Sequence, residues 1–107
     1  MEGRFLRLFV MFDLPVNTSK NRRDYRKFVK FLTNNGYLRV QYSIYAKLVM
    51  NHSVMNYQMS RLKEAVPSSG LVQTMIVTEK QYSEMVFLVG EASEDMKTLT
   101  TDRVIEL

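Results

Sequence analysis

The run Phe5-Leu6-Arg7-Leu8-Phe9-Val10-Met11-Phe12-Asp13, closed by Leu14-Pro15, decides how the rest of the chain is read. Its apolar residues fall on both alternating sets of positions, the pattern of a strand covered on two faces. Pro15 lacks a backbone donor and ends the pairing. Asp13 is left at the strand tip, the only carboxylate between Glu2 and Asp24. The segment that follows is crowded with Lys20, Arg22, Arg23, Arg26, Lys27 and Lys30. A lone carboxylate beside many cations suits a metal ion and phosphate.

Outward from this strand, Asn17, Thr18 and Ser19 are competent helix N-caps and Gly36 is a C-terminal stop, so a first helix is expected over about Ser19 to Asn35. Tyr25, Phe28, Val29 and Leu32 repeat at i, i+3, i+4 and i+7, and Arg23, Arg26, Lys27 and Lys30 repeat the same spacing two residues earlier. An offset of two residues is about 200° of helical rotation, which puts a packing stripe and a row of cations on opposite faces. Tyr37 to Val49 reads as two strands with a bend near Gln41 and Tyr42. A second helix is capped by Asn51 or Ser53, ends at Pro67 and packs through Met55, Met59, Leu62 and Val66. Leu71 to Thr78 is the next strand, Glu79 to Glu84 a polar connection, and Met85 to Val89 a short last strand.

Strand, helix, strand, strand, helix, strand is the order of an α+β, ferredoxin-like βαββαβ domain. Both long helices then cover one sheet face. The other face needs an apolar partner, most simply the same face of a second copy, so a two-fold dimer packed through its sheets is expected. A chain of 107 residues has little core to spare, which favours the same pairing.

Composition bounds the chemistry. The chain is 46% hydrophobic, with no apolar run long enough for a membrane span and no signal-peptide pattern, because Arg4 and Arg7 interrupt the first apolar segment. A soluble, cytoplasmic protein is expected. There is no cysteine for a disulfide or a thiolate metal site, and the single His52 does not make a usual zinc site. A bound metal would be a hard, oxygen-ligated ion such as magnesium. Residues 1–90 hold 13 Lys and Arg against 6 Asp and Glu, whereas residues 91–107 hold 2 against 5. The chain thus divides into a basic domain, 1–90, and an acidic tail, 91–107. The tail ends in a β-prone segment in which Val104, Ile105 and Leu107 are expected to form an additional short strand that either docks a partner or packs against the chain's own sheet. A sequence pI near 9.5 is in the range of nucleic-acid binders.

Each of these features has a plain alternative. Asp13 is either a turn or helix-start carboxylate or a magnesium ligand, and one carboxylate makes a poor site unless a second copy supplies another. The cations are either a solvated face or a phosphate-binding face. Only Asp24 interrupts them, which favours phosphate, since a stabilised surface helix alternates charges. Tyr37, Tyr42 and Tyr45 flank Arg39 and either pack in the sheet or stack bases; packing ranks first because the RNP1 pattern is absent.

Val10-Met11-Phe12-Asp13-Leu14-Pro15, Tyr25-Arg26-Lys27-Phe28, Gly36-Tyr37, Arg39-Val40-Gln41-Tyr42-Ser43-Ile44-Tyr45, Arg61-Leu62-Lys63 and Thr78-Glu79-Lys80-Gln81 together resemble the CRISPR-associated protein two family. The resemblance covers about residues 4–90 and is nearest to the branch that accompanies type II systems. It implies a ferredoxin-like homodimer with Mg2+ near paired Asp13 side chains. It also implies a role in spacer acquisition, bridging dimers of the larger adaptation integrase and supporting incoming double-stranded DNA. By motif position, Asp13 corresponds to the metal ligand, and Lys20, Arg22, Arg39 and Tyr45 fall at or near active-site-associated positions. Phe12 stands where the family commonly has Tyr. The leading expectation is therefore a DNA-binding structural subunit. The alternative is a magnesium-dependent endonuclease on RNA or DNA, including a toxin-type ribonuclease of similar fold.

Overall fold

The computed structural model describes residues 5–93. The elements run β1 (Leu6–Asp13), α1 (Ser19–Asn34), β2 (Leu38–Gln41), β3 (Ile44–Val49), α2 (His52–Ala65), β4 (Leu71–Thr78) and α3 (Glu79–Ser83). The four strands form one sheet in the order β2-β3-β1-β4, and every neighbouring pair is antiparallel. This is the strand order of the ferredoxin-like arrangement.

The long helices begin and end where their local chemistry dictates. Thr18 accepts a hydrogen bond from the Asn21 amide and caps α1. At the other end Tyr37 N donates to Leu32 O at 3.0 Å and Gly36 N to Thr33 O at 3.2 Å, the paired bonds of a Schellman motif. Gly36 has φ +84°, which that motif requires and a side chain would resist. In α2, Asn51 takes the capping role by accepting from Val54 N.

Alternation along β1 sends Leu6, Leu8, Val10 and Phe12 into the core beneath the two long helices, where they meet Phe28 and Leu32 of α1 and Met55 and Leu62 of α2. The packing stripe of α2 departs from expectation at its end. Val66 is exposed and serves as the C-cap, while Gln58 is buried in its stead and accepts from the Tyr37 hydroxyl at 3.3 Å. A polar side chain is tolerated there because its acceptor is satisfied.

The opposite face of β1 carries Arg7 and Phe9, both buried. Here the structure corrects the expected order after β4. Glu79 to Ser83 is helix rather than polar connection, and Met85 to Val89 pairs with no strand among the described residues. The physical reason lies in Thr78 and Gln81, whose side chains exchange bonds with each other's backbone amides in a capping box. That box turns the chain off the sheet edge, so residues 85–89 are carried away from a ladder position and are exposed. The expected strand containing Val104, Ile105 and Leu107 lies outside the described residues. Among the described residues, no helix is long and apolar enough to cross a membrane.

The short helix covers the buried cation. Glu79 receives a bidentate pair from Arg7, with Nη2 to Oε2 at 3.1 Å, and the Tyr82 ring lies 4.0 Å beneath the guanidinium carbon. Tyr82 also packs against Phe9, 6.1 Å between ring centres. Part of the sheet face expected to need a second copy is therefore covered by the chain's own α3.

Breaking that pair from one side leaves a buried guanidinium without its counter-charge. Glu79→Ala is expected to lower stability by about 3–5 kcal/mol. The double replacement Arg7→Met with Glu79→Leu is expected to recover most of the loss. Urea unfolding followed by circular dichroism at one fixed protein concentration measures both.

Candidate metal and nucleic-acid site

Strand alternation that buries Phe12 turns Asp13 outward, and Asp13 is exposed at the tip of β1. The phenyl ring beneath it is held on three sides. Phe28 meets it edge-on at 5.3 Å, Tyr25 edge-on at 6.0 Å, and Tyr45 lies stacked at 5.9 Å. Phe12 and Tyr45, both suggested as site-associated by motif position, are thus core residues that support the Asp13 tip from below.

The turn entering β4 closes against the same tip. Gly70 has φ +91°, and a Cβ there would lie 2.9 Å from Asp13 O, 2.8 Å from Leu14 Cδ2 and 3.0 Å from Pro15 Cδ. Only glycine permits this backbone approach. In the sequence Ser68-Ser69-Gly70 signalled a turn but not its proximity to Asp13.

The connection from β1 to α1 is shaped by the first two cations. Arg22 donates through Nη1 to Val16 O at 3.0 Å and through Nη2 to Ser19 Oγ at 3.3 Å, folding over the connection. Lys20 Nζ donates to Asp24 Oδ2 at 2.9 Å. That hydrogen bond, more than any other neighbour, holds the Asp24 carboxyl below its ordinary range. Lys20 is therefore engaged along the helix rather than with Asp13. Arg23, Arg26, Lys27 and Lys30 are all exposed on the face of α1 turned from the core, where their spacing placed them.

Arg39 is exposed at the edge strand β2, opposite Tyr45 in the β2–β3 register. It is separated from the Asp13 tip by β3. The hairpin between β2 and β3 comes closer. Phe12 N donates to Ser43 O at 3.1 Å, which lays the Tyr42-Ser43 turn beside the end of β1. The three tyrosines around Arg39 have different fates: Tyr37 and Tyr45 are buried, but Tyr42 is 75% exposed. Packing accounts for two of them and not for the third. Burial, slightly offset by the Arg61 charge, pushes the Tyr37 hydroxyl up to about 12.

Magnesium is held by oxygen donors, keeps several waters, and is commonly bound by one or two carboxylates with substrate phosphate. Asp13 fits as one such donor. Among the described residues there is no group of three or more His, Cys, Asp or Glu. The donor set of the described residues thus suits an open ion completed by water and phosphate, not an enclosed cage.

The model of the CRISPR associated protein Cas2 family matches residues 6–85. A CRISPR-associated endoribonuclease Cas2 of Ligilactobacillus salivarius is 40% identical over 100 residues, spanning 94% of this chain and 99% of that protein. One of Lacticaseibacillus rhamnosus is 42% identical over 100 residues, spanning 94% and 98%. One of Treponema denticola is 37% identical over 102 residues, spanning 95% and 100%.

The backbone approach at Gly70 has a built-in control. Gly90 has nearly the same φ, +89°, with nothing within 4 Å of an added Cβ. Gly70→Ala is expected to cost about 1–3 kcal/mol and to exceed the cost of Gly90→Ala, which carries the backbone strain alone. Denaturant midpoints of the two variants measure the difference.

Proposed function

The chain belongs to the CRISPR associated protein Cas2 family, and from that premise we propose that it is a magnesium-dependent endoribonuclease of a CRISPR system. The observation that carries this reading is the exposed Asp13 carboxylate, fixed on a rigid strand tip and followed directly by a cationic helix. The names of the relatives favour the nuclease alternative over the structural role placed first from the sequence.

Asp13 would hold the magnesium ion, which when bound supplies charge stabilisation at the phosphate and a water acidic enough to attack it. The remaining work belongs to the chain. Phe12, Tyr45 and Gly70 keep the Asp13 tip in one place, because Tyr45 stacks on Phe12 one residue before it and Gly70 lets the turn into β4 close on the Asp13 carbonyl. Arg22 leaves guanidinium donors beyond its two local bonds to orient a phosphodiester, and its attachment to Val16 and Ser19 reduces the ordering cost of doing so. Arg23, Arg26, Lys27 and Lys30 hold the strand through its phosphates and read no bases. Under the same reading the protein is cytoplasmic.

A second reading, a duplex-DNA support in spacer acquisition, is favoured by the length of the cation row. Arg23 to Lys30 spans about 10 Å of helix, longer than one scissile phosphate needs and suited to successive backbone phosphates. In this role the protein is a homodimer joined through the sheet face that carries the exposed Leu71 and Met75, and it bridges copies of the larger adaptation integrase.

Two measurements separate the readings. Asp13→Asn removes the charge but keeps the shape of an exposed side chain, so stability is expected to change by no more than about 0.5 kcal/mol. Magnesium-dependent cleavage of labelled RNA is expected to fall about 100-fold or more. Cleavage unchanged by the substitution, or no cleavage by the wild-type protein, defeats the nuclease reading.

For duplex DNA, neutralising Arg23, Arg26, Lys27 or Lys30 singly is expected to lower the slope of log affinity against log salt by about 0.9 for each phosphate that the variant ceases to neutralise, for unrelated sequences alike. Fluorescence anisotropy across a salt series reads this. Unchanged slopes return the row to an ordinary solvated face.

A further inference from the structure

Tyr42 is the one aromatic ring beside the Asp13 tip whose exposure is not explained by packing. It occupies the two-residue turn between β2 and β3, with Gln41 opposite Ile44, while the ladder shifts by one residue between Arg39 and Gln41. Such a bulge re-aims the side chains next to it. The turn is anchored to β1 by the Phe12 N to Ser43 O bond, one residue before Asp13. The ring nevertheless remains 75% exposed.

Exposure here does not mean looseness. The turn that carries Tyr42 lies close to Tyr25, whose hydroxyl is pushed above its ordinary range by burial first and by the neighbouring Tyr42 second. Tyr25 in turn packs on Phe12. The backbone of Tyr42 is thus held in an anchored turn beside the end of β1, while most of the ring surface stays open to solvent. An aromatic surface carried on an anchored turn beside the candidate phosphate site suits a planar apolar ligand, because the backbone entropy of placing it has been lost on folding and only the side-chain freedom of the ring remains. The chemistry adjacent to a phosphodiester that fits it is a nucleobase, and a base paired in a duplex does not expose its face.

We propose that Tyr42 is a stacking platform for an unpaired nucleobase next to the Asp13 tip, so that the protein prefers single-stranded over fully paired nucleic acid at this point. The proposal rests on the nucleic-acid reading above and deepens it by naming the base-recognition element. Stacking is indifferent to the sugar and nearly indifferent to base identity, so RNA and DNA single strands share the site.

The test uses the full chain and three variants, Tyr42→Ala, Tyr42→Phe and Asp13→Asn. The probes are a single-stranded RNA, the matching single-stranded DNA, each carrying 2-aminopurine, and a fully paired DNA duplex. Tyr42→Ala is expected to weaken both single strands roughly 5- to 150-fold, to abolish stacking-dependent quenching of 2-aminopurine, and to leave duplex affinity within about twofold. Tyr42→Phe keeps the ring and is expected to retain at least half the quenching. An effect on RNA alone would assign the site to that source, and an equal effect on DNA would assign it to both. Unchanged single-strand affinity in Tyr42→Ala, an equal loss for the duplex, or a loss in Tyr42→Phe as large as in Tyr42→Ala overturns the platform. Asp13→Asn separates this proposal from the nuclease reading: it is expected to lose cleavage yet quench normally. Wild-type protein that cleaves nothing but quenches through Tyr42 defeats the nuclease reading alone.

Discussion

The two-residue repeat of β1 is the constraint from which the site is built. Leu8 and Val10 are fully enclosed beneath the helices, so the register of β1 against β3 and β4 has essentially no freedom. A slip of one position would exchange every residue between faces, putting Arg7 and Asp13 under the helices and Leu6, Leu8 and Phe12 outside. The cost of burying two charges without partners forbids it. Asp13 is therefore exposed because Phe12 is buried, and the precision of the tip comes from the aromatic packing one residue back. Arg7 obeys the same rule from the other side. It is enclosed because β1 is the second strand from one edge and covered on both faces, and it is tolerated because Glu79 neutralises it and Tyr82 covers it.

Helix α1 divides two tasks between its faces. Phe28 and Leu32 supply core burial, and burial of an aromatic and a leucine outweighs the few tenths of a kcal/mol that each like-charged neighbour costs on the outer face. The fold can thus carry Arg23, Arg26, Lys27 and Lys30 without compensating acids. Among the described residues the compensating pair on this helix, Lys20 with Asp24, sits at its start near the β1 connection. There it fixes the Lys20 side chain beside the candidate site, while the later cations stay on an open face. The division separates a locally ordered end from an extended electrostatic surface within one element.

Much of this was legible in the residues. The two-sided apolar run, the Thr18 cap, the Gly36 stop and the two stripes of α1 each carried a local physical signal that the fold obeys. The capping box Thr78-Glu79-Lys80-Gln81 was equally visible, but a five-residue helix contributes too little periodicity to compete with the apolar run Met85 to Val89, which resembles a strand in isolation. Whether such a run pairs depends on where the preceding turn aims it. Gln58 and Arg7 were illegible for another reason. Each is buried only because a residue distant in sequence, Tyr37 in one case and Glu79 in the other, satisfies it. No local window contains both partners. The fate of the three tyrosines depended likewise on the bulge, which no pattern of alternation reveals.

The candidate site follows from how little polar chemistry surrounds Asp13. Phe12 carries no hydroxyl, Lys20 is paired with Asp24, and Arg22 is bonded to its own connection. With so few such groups among the described residues, selectivity under the proposed nucleic-acid reading would not come from a dense hydrogen-bonding pocket. It would come instead from charge, which is general for phosphates, and from shape, which distinguishes a paired base from an open one. The row of cations supplies the first. The hairpin turn, anchored through Ser43 and presenting Tyr42, lies in the right place to supply the second, because the strand pairing that positions Asp13 also positions the turn. Charge and shape are thus coupled through β1 itself: any change that moves the strand moves the carboxylate and the aromatic surface together.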